Sequence, residues 1–222
     1  MSNKTQKASE TAVTPEAEPQ CQLCPRLVAY RSENQQAEPS WFNGAVPSFG
    51  DETAQFLIIG LAPGVTGANR TGRPFTGDWA GDLLYKTLAH FEFSSGIYAQ
   101  HAEDGLRLVN SMITNAVRCV PPQNKPIGAE IKQCRPFLKS RIDALPNLKI
   151  ILCLGKIAHD STIAAFGGRQ KDFPFGHGHR HEIEDYVIYD SYHCSRYNTN
   201  TGRLTEAMFF DVFNQIRTEL GS

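Results

Sequence analysis

The chain predicts one three-layer α/β/α domain built on a central, mainly parallel four-stranded sheet. Three observations carry that prediction. Apolar runs bounded by turn residues recur at residues 56–59, 106–117, 149–154 and 186–190, the pattern of strands buried on both faces of a parallel sheet. Segments with apolar residues at helical spacing lie between those runs, which is the alternation of βαβ units. The length, 222 residues, suffices for a single domain with a full core.

Taken in order, residues 1–20 are polar and rich in Glu, Thr, Ala and Pro. They lack the apolar centre of a signal peptide or anchor, so a disordered tail is expected, with the folded domain over residues 21–222. Cys21-Gln22-Leu23-Cys24-Pro25-Arg26 leads into a short helix over 27–35, and 39–51 reads as an irregular packed loop holding Trp41, Phe42 and Phe49. The first strand stops at Gly60. Leu83, Leu84, Leu88 and Phe91 predict a helix over 81–91, capped by Thr76 or Asp78. A second strand ends near Thr114-Asn115, a turn-rich loop spans 121–126, and a helix follows over 127–145. Lys-Ile-Ile-Leu-Cys-Leu at 149–154 is the clearest strand, and it enters a helix over 156–166. Residues 167–181 alternate His177, His179 and His181 with Gly and Arg, which reads as a mobile surface loop, with no metal assigned to it. A last strand and an amphipathic helix over 203–220 close the chain. The formal net charge of −1 neither announces a nucleic-acid partner nor excludes one, because a local basic face matters more than the total. No apolar run is long enough to span a bilayer, and a cytoplasmic protein is expected.

The loop after the first strand, residues 60–78, lies where α/β sheets bind ligands, beyond the carboxyl ends of the strands. Gly60, Gly64 and Gly67 could cradle an anion. The loop lacks both the Walker ending and a GxGxxG fingerprint, which argues against a nucleotide cofactor. Asp78 could orient a water or cap a helix. Phe75 could form a platform for a planar ligand or pack in the core. Asn115, at a strand end, offers the donor and acceptor that suit the edge of a base, or is a turn residue. His193 could donate to a departing anion, or be structural. Arg196 and Tyr197 could meet a nucleic-acid backbone or stack. Cys194 adjoins His193, but adjacent residues on an extended chain point apart, which disfavours a nucleophile pair.

Six cysteines stand at 21, 24, 119, 134, 153 and 194. In a reducing compartment, clustered cysteines mean metal more often than disulfide. The CxxC pair does not follow a strand, as a thioredoxin-like motif should. Cys21 and Cys24 with Cys119 and Cys134 suit an iron–sulfur cluster or a structural zinc, against the plain alternative of four unrelated thiols. Cys153, inside an apolar strand, reads as core.

Four stretches in sequence order carry a resemblance: CQLCPRLVAYR at 21–31, GLAPGVTGANRTGRPFTGD at 60–78, TNAVRCVPP at 114–122 and SYHCSRYNTNTGRLT at 191–205. Together they resemble the uracil-DNA glycosylase superfamily, and within it the type 5 branch, over nearly the whole chain after residue 20. The resemblance implies a 4Fe-4S cluster on Cys21, Cys24, Cys119 and Cys134. It implies an enzyme that removes uracil turned out of single- or double-stranded DNA, and extends to hypoxanthine and xanthine as candidate bases. Asp78, Asn115 and His193 would be catalytic, with Phe75 stacking on the base. Gly60, Leu61, Ala62, Pro63, Gly64, Asn69 and Ser195 would contact the substrate, and Arg196, Tyr197 and Arg203 the DNA. Lys125, Lys132 and Arg135 could add phosphate contacts. Leu61 stands where the related type 4 enzymes carry an acid, so the activating carboxylate falls to Asp78. Gly64 replaces an alanine found in many type 5 members, and Cys194 to Tyr197 departs from the commoner Val-Ser or Pro-Ser beginnings. A monomer with no membrane partner is expected. A non-catalytic DNA-binding iron–sulfur protein and a zinc-binding hydrolase are the alternatives.

Overall fold

A computed structural model describes residues 15–221. Helix α1 (Pro25–Ala37) precedes strands β1 (Phe49–Gly50) and β2 (Phe56–Gly60), a short helix α2 (Ala68–Thr71) and helix α3 (Trp79–His90). Strands β3 (Ser94–Ser95) and β4 (Arg107–Leu108) pair only with each other. Strand β5 (Ser111–Asn115), helix α4 (Gly128–Asp143), strand β6 (Ile150–Leu154) and helix α5 (Lys156–Ala165) follow. Strands β7 (Arg180–Ile183) and β8 (Tyr186–Ser191), a short helix α6 (Arg196–Asn200) and helix α7 (Glu206–Gly221) complete the order.

The central sheet has six strands in the order β1-β5-β2-β6-β8-β7. Its four inner strands are the predicted ones, and all three pairings among them are parallel. The expected four-stranded sheet is corrected at both edges, where β1 and β7 add antiparallel pairings and make the sheet mixed. Neither edge advertises itself in sequence. β1 has two residues, and β7, Arg-His-Glu-Ile, is half polar because only one of its sides is covered. The same strand overturns the reading of 167–181 as a loose loop.

Every residue of β2, β5 and β6 is buried, so alternate residues feed opposite faces. Phe56, Ile58, Ile113 and Leu152 pack under α3 and α7, against Leu84, Leu88, Phe209 and Phe213. Leu57, Ile59, Met112 and Ile151 pack under α4 and α5, against Leu138, Ile142, Ala158 and Ile163. These faces are the two outer layers of the predicted α/β/α stack. The packed chain also begins before residue 21. Ala17 is buried and Glu16 bridges Arg118 and Arg141, because a buried guanidinium needs an anionic partner. The remainder of the expected tail, 1–14, lies outside the described residues. Among the described residues no helix is long and apolar enough to cross a membrane.

The chain leaves β2 toward β5 on one side and returns to β6 on the other. The loops after β2 and β6 therefore diverge, and a crevice opens between them at the carboxyl ends of the strands.

Candidate active site

A cavity of about 560 Å³ occupies that crevice, a volume typical of small-ligand sites. Its walls include Leu61, Ala62 and Gly64 after β2, Phe75, Asp78 and Trp79 before and at the start of α3, and Asn115 at the end of β5. Gly155 and Lys156 after β6, and Tyr192, His193, Ser195, Arg196 and Arg203 after β8, close it. Four segments far apart in the polypeptide thus converge on one space.

Gly60 ends β2 without a side chain for a local reason. A Cβ there would collide with the Asn115 side-chain oxygen, Oδ1, and the Phe75 ring. Phe75 adopts a left-handed backbone, φ 52°, uncommon for a bulky residue and a sign of functional constraint. Its ring lies beside that of His193, 5.8 Å between centroids and 25° between planes. Asn115 is buried, and its Oδ1 has no hydrogen-bond partner among the described residues. A buried amide oxygen left unpaired costs about 1–3 kcal/mol, so this wall is prepared for a donor brought by a ligand.

Asp78 is both of the things the sequence allowed. It is the N-cap of α3, its Oδ1 accepting from the Gly81 amide at 3.2 Å, and it faces the cavity. Gly64 and Gly67 leave the space its other oxygen fills, since a Cβ on either would press against Oδ2. Burial raises the Asp78 carboxyl above its ordinary value, only partly countered by the Gly81 and Ala80 amides. Burial alone lowers His193 to about 4. At neutral pH the imidazole is therefore uncharged, able to donate a hydrogen bond but not poised to surrender a full proton.

The other expected contacts divide. Leu61, Ala62, Gly64 and Ser195 line the cavity, whereas Gly60, Pro63 and Asn69 are not among its wall residues. Asn69 is fully buried and donates to Asn43 Oδ1 at 2.9 Å, while its backbone amide donates to the Gly64 carbonyl, so it braces the loop. Ser195 caps α6. Arg196 lies over the exposed Trp79 ring at 5.5 Å, and Arg203 over the Tyr192 ring at 4.6 Å. Tyr197 is 72% exposed and lies outside the cavity walls. Sequence reasoning missed Trp79, Lys156, Phe175 and Tyr192 as wall residues. Of these, only Tyr192, within the motif at 191–198, carried a signal.

The four expected metal cysteines line a second, much smaller pocket of about 20 Å³ together with Leu27 and Arg118. The Arg118 amide donates to Cys134 Sγ at 3.3 Å and Arg31 Nη1 to Cys119 Sγ at 3.5 Å. Burial pushes the Cys119 thiol up to about 12 and the Cys134 thiol up to about 11, so ionising them calls for a cation. One tetrahedral ion at about 2.3 Å from sulfur would hold its thiolates about 3.8 Å apart. Among the described residues no three of these sulfurs gather within 4.8 Å; the only such set of metal-capable atoms belongs to His159, His181 and Asp190. In that set, His159 directs Nδ1 to Asp190 Oδ1 and Nε2 to the Phe173 carbonyl, both at 2.8 Å. Asp190 and the carbonyl raise the His159 pKa, outweighing its burial. Cys153 is buried, as expected of a core thiol, and Cys194, which the sequence left ambiguous, is buried too.

The two regions share a connection. Residues 115–119 run from the cavity wall to the cysteine pocket, with Val117 N–H bonded to the Leu61 carbonyl and Arg118 N–H to Cys134.

Comparison with known proteins agrees with this geometry. The model of the Uracil DNA glycosylase superfamily matches residues 47–217. A Type-5 uracil-DNA glycosylase of Thermus thermophilus is 42% identical over 208 residues, covering 90% of this chain and 94% of its own. One of Pyrobaculum aerophilum is 34% identical, covering 90% and 89%. A Type-4 uracil-DNA glycosylase of Archaeoglobus fulgidus is 36% identical over a shorter span, 51% of this chain.

Proposed function

This chain belongs to the type 5 branch of the uracil-DNA glycosylase superfamily, and from that premise we propose that it hydrolyses the N-glycosidic bond of uracil turned out of DNA. The observation that carries the proposal is the unpartnered Asn115 oxygen beside the Phe75 ring on the wall of a cavity roomy enough for an everted base. Turning out a nucleotide costs a few kcal/mol. Stacking on Phe75 and hydrogen bonds from the base edge to Asn115 recover part of it. Uracil's imide N–H is a donor that Asn115 Oδ1 can accept, and the Asn115 amide N–H can meet a neighbouring uracil oxygen.

Bond cleavage leaves a cationic sugar and an anionic base, and each needs help. Asp78, a carboxylate made more basic by burial, orients the attacking water and faces the sugar's positive charge. Neutral His193 donates to the oxygen on which the base's negative charge develops. Leu61 contributes no charge, so the activating carboxylate is Asp78 alone. Arg196 and Arg203 at the rim contact phosphates, so binding should weaken with salt. Lys125, Lys132 and Arg135 are further candidates. The protein acts as a monomer in the cytoplasm, on chromosomal DNA.

Cys21, Cys24, Cys119 and Cys134 hold a 4Fe-4S cluster. The donor set supports this assignment: four soft sulfurs around one small pocket, with N–H donors already aimed at two of them. The cluster's contribution is structural, tying the start of α1 to α4 and to the loop after β5. Iron analysis and absorption near about 400 nm test it, and a colourless preparation containing zinc instead would overturn it.

The decisive experiment incubates the protein with uracil, hypoxanthine and xanthine duplexes and then alkali. Strand breaks at uracil are expected. Binding that leaves the strand intact would favour a non-catalytic DNA-binding iron–sulfur protein.

A further inference from the structure

His177 lies in the region between α5 and β7 and belongs to none of the roles assigned above. Its surroundings are fixed from three directions. The Phe173 carbonyl accepts from His159, the Pro174 carbonyl lies 2.9 Å from His179 Nδ1, and the Gly178 amide donates to the Asp190 carbonyl at 2.8 Å. Gly178 takes φ 76°, which lets the chain turn back into β7. His177 therefore projects from a rigid support.

Its Nδ1 meets the Tyr192 backbone amide at 3.3 Å and lies equally far from Ser191 Oγ. An amide N–H can only donate, so Nδ1 must present its lone pair and the ring proton must reside on Nε2. The imidazole also stacks on the Tyr192 ring, 5.2 Å between centroids and 26° between planes, and Tyr192 carries the Arg203 guanidinium. Tyr192 is thus held at its amide and at its ring, one residue before His193.

We propose that His177 is a positioning residue for the chemistry at His193: it fixes the Tyr192 peptide and ring, and through them the approach of the chain to His193 and the lie of Arg203 at the cavity rim. This rests on the glycosylase reading for its activity readout, but not for its geometry. Misplacing a reacting group by about 1 Å can cost about 100-fold in rate, although His177 touches neither base nor sugar.

The test uses the full chain and its variants His177→Ala and His177→Asn. The Asn side chain keeps an acceptor near the place of Nδ1; Ala does not. Single-turnover excision from a uracil duplex should slow about 10- to 100-fold in His177→Ala, a larger change than that in affinity for a duplex bearing a non-hydrolysable uracil nucleotide, where only the Arg203 contact is loosened. His177→Asn should recover most of that loss. Nitrogen NMR of the wild-type imidazole should show the proton on Nε2. An excision rate in His177→Ala equal to wild type, equal slowing in both variants, or a proton on Nδ1 would overturn the proposal. If His177→Ala does not fold, the Asn variant and the NMR measurement decide. Should the wild type excise no uracil, the glycosylase reading fails, while the tautomer measurement still tests the contact.

Discussion

The cavity and the cysteine pocket both bury ionisable groups, but they treat charge in different ways. Around the cavity, Asp78 is raised and His193 lowered by burial, and among the described residues neither has a salt-bridge partner of opposite charge. Around the cysteines, cations are built in: Arg31 reaches Cys119, and fully buried Arg118 flanks it, bound to Glu16 and Ser48. The contrast follows from what each place must hold. A site where charge develops during a reaction benefits from fixed dipoles and a dry wall, so that the charge is stabilised only as it forms. A site for a permanently anionic set of thiolates needs its compensating charge in the fold from the outset.

Removing His193 is the hardest strain on the first half of that contrast. His193→Ala should slow excision about 100- to 1000-fold, the usual cost of one lost donor to a developing anion. The loss should stay constant across the neutral range, since burial holds the imidazole near 4. A rate equal to wild type in single-turnover kinetics would remove His193 from the reaction.

Glu16 probes the second half. Burial pushes its carboxyl up, but Arg118, the Ser48 hydrogen bonds and Arg141 outweigh that and hold it below its ordinary value. Glu16→Ala should destabilise the fold by about 2–3 kcal/mol, less than the loss for a fully buried pair because Glu16 keeps some contact with water. A carboxyl depressed in the folded state contributes stability above its unfolded pKa, which is lost as pH falls through the folded value. Urea titrations of wild type and variant should therefore converge in acid; a gap independent of pH would show that Glu16 acts through packing.

The smallest effect runs in the opposite direction. Asp78 is raised in the fold, so its ionised form opposes folding at neutral pH, and that opposition fades as pH falls through the raised value. Asn is an equally good N-cap. Asp78→Asn should therefore abolish excision while raising the melting temperature by about 2–4 °C at neutral pH, with the gain disappearing in acid. A lower melting temperature would mean that the carboxylate's bond to Gly81 outweighs its desolvation.

The inner strands and the residues at their carboxyl ends were legible because a strand buried on both faces has an unmistakable apolar run. The loop at 60–78 carries Phe75 and Asp78, and the parallel pairing of β5 with β2 sets Asn115 beside Gly60. The edges were not legible: β1 is too short, and β7 mixes Arg180, His181 and Glu182 with one apolar residue. Asn69 shows a contact the sequence does not announce: Asn43, 26 residues earlier, accepts from its Nδ2, while its Oδ1 has no hydrogen-bond partner among the described residues. Phe175 and Lys156 reach the cavity only through the return of distant chain, which no local pattern records. Residues 15–20 read as tail because their anchor, Arg118, lies a hundred positions away.

The span 115–119 has a practical corollary for anyone who mutates this protein. Its first residue faces the cavity and its last belongs to the sulfur set, with only three residues between them. Val117 and Arg118 thus join the proposed base site to the proposed cluster site, and a substitution at either should disturb both. Activity lost there should be apportioned only after the iron content of the same sample is known.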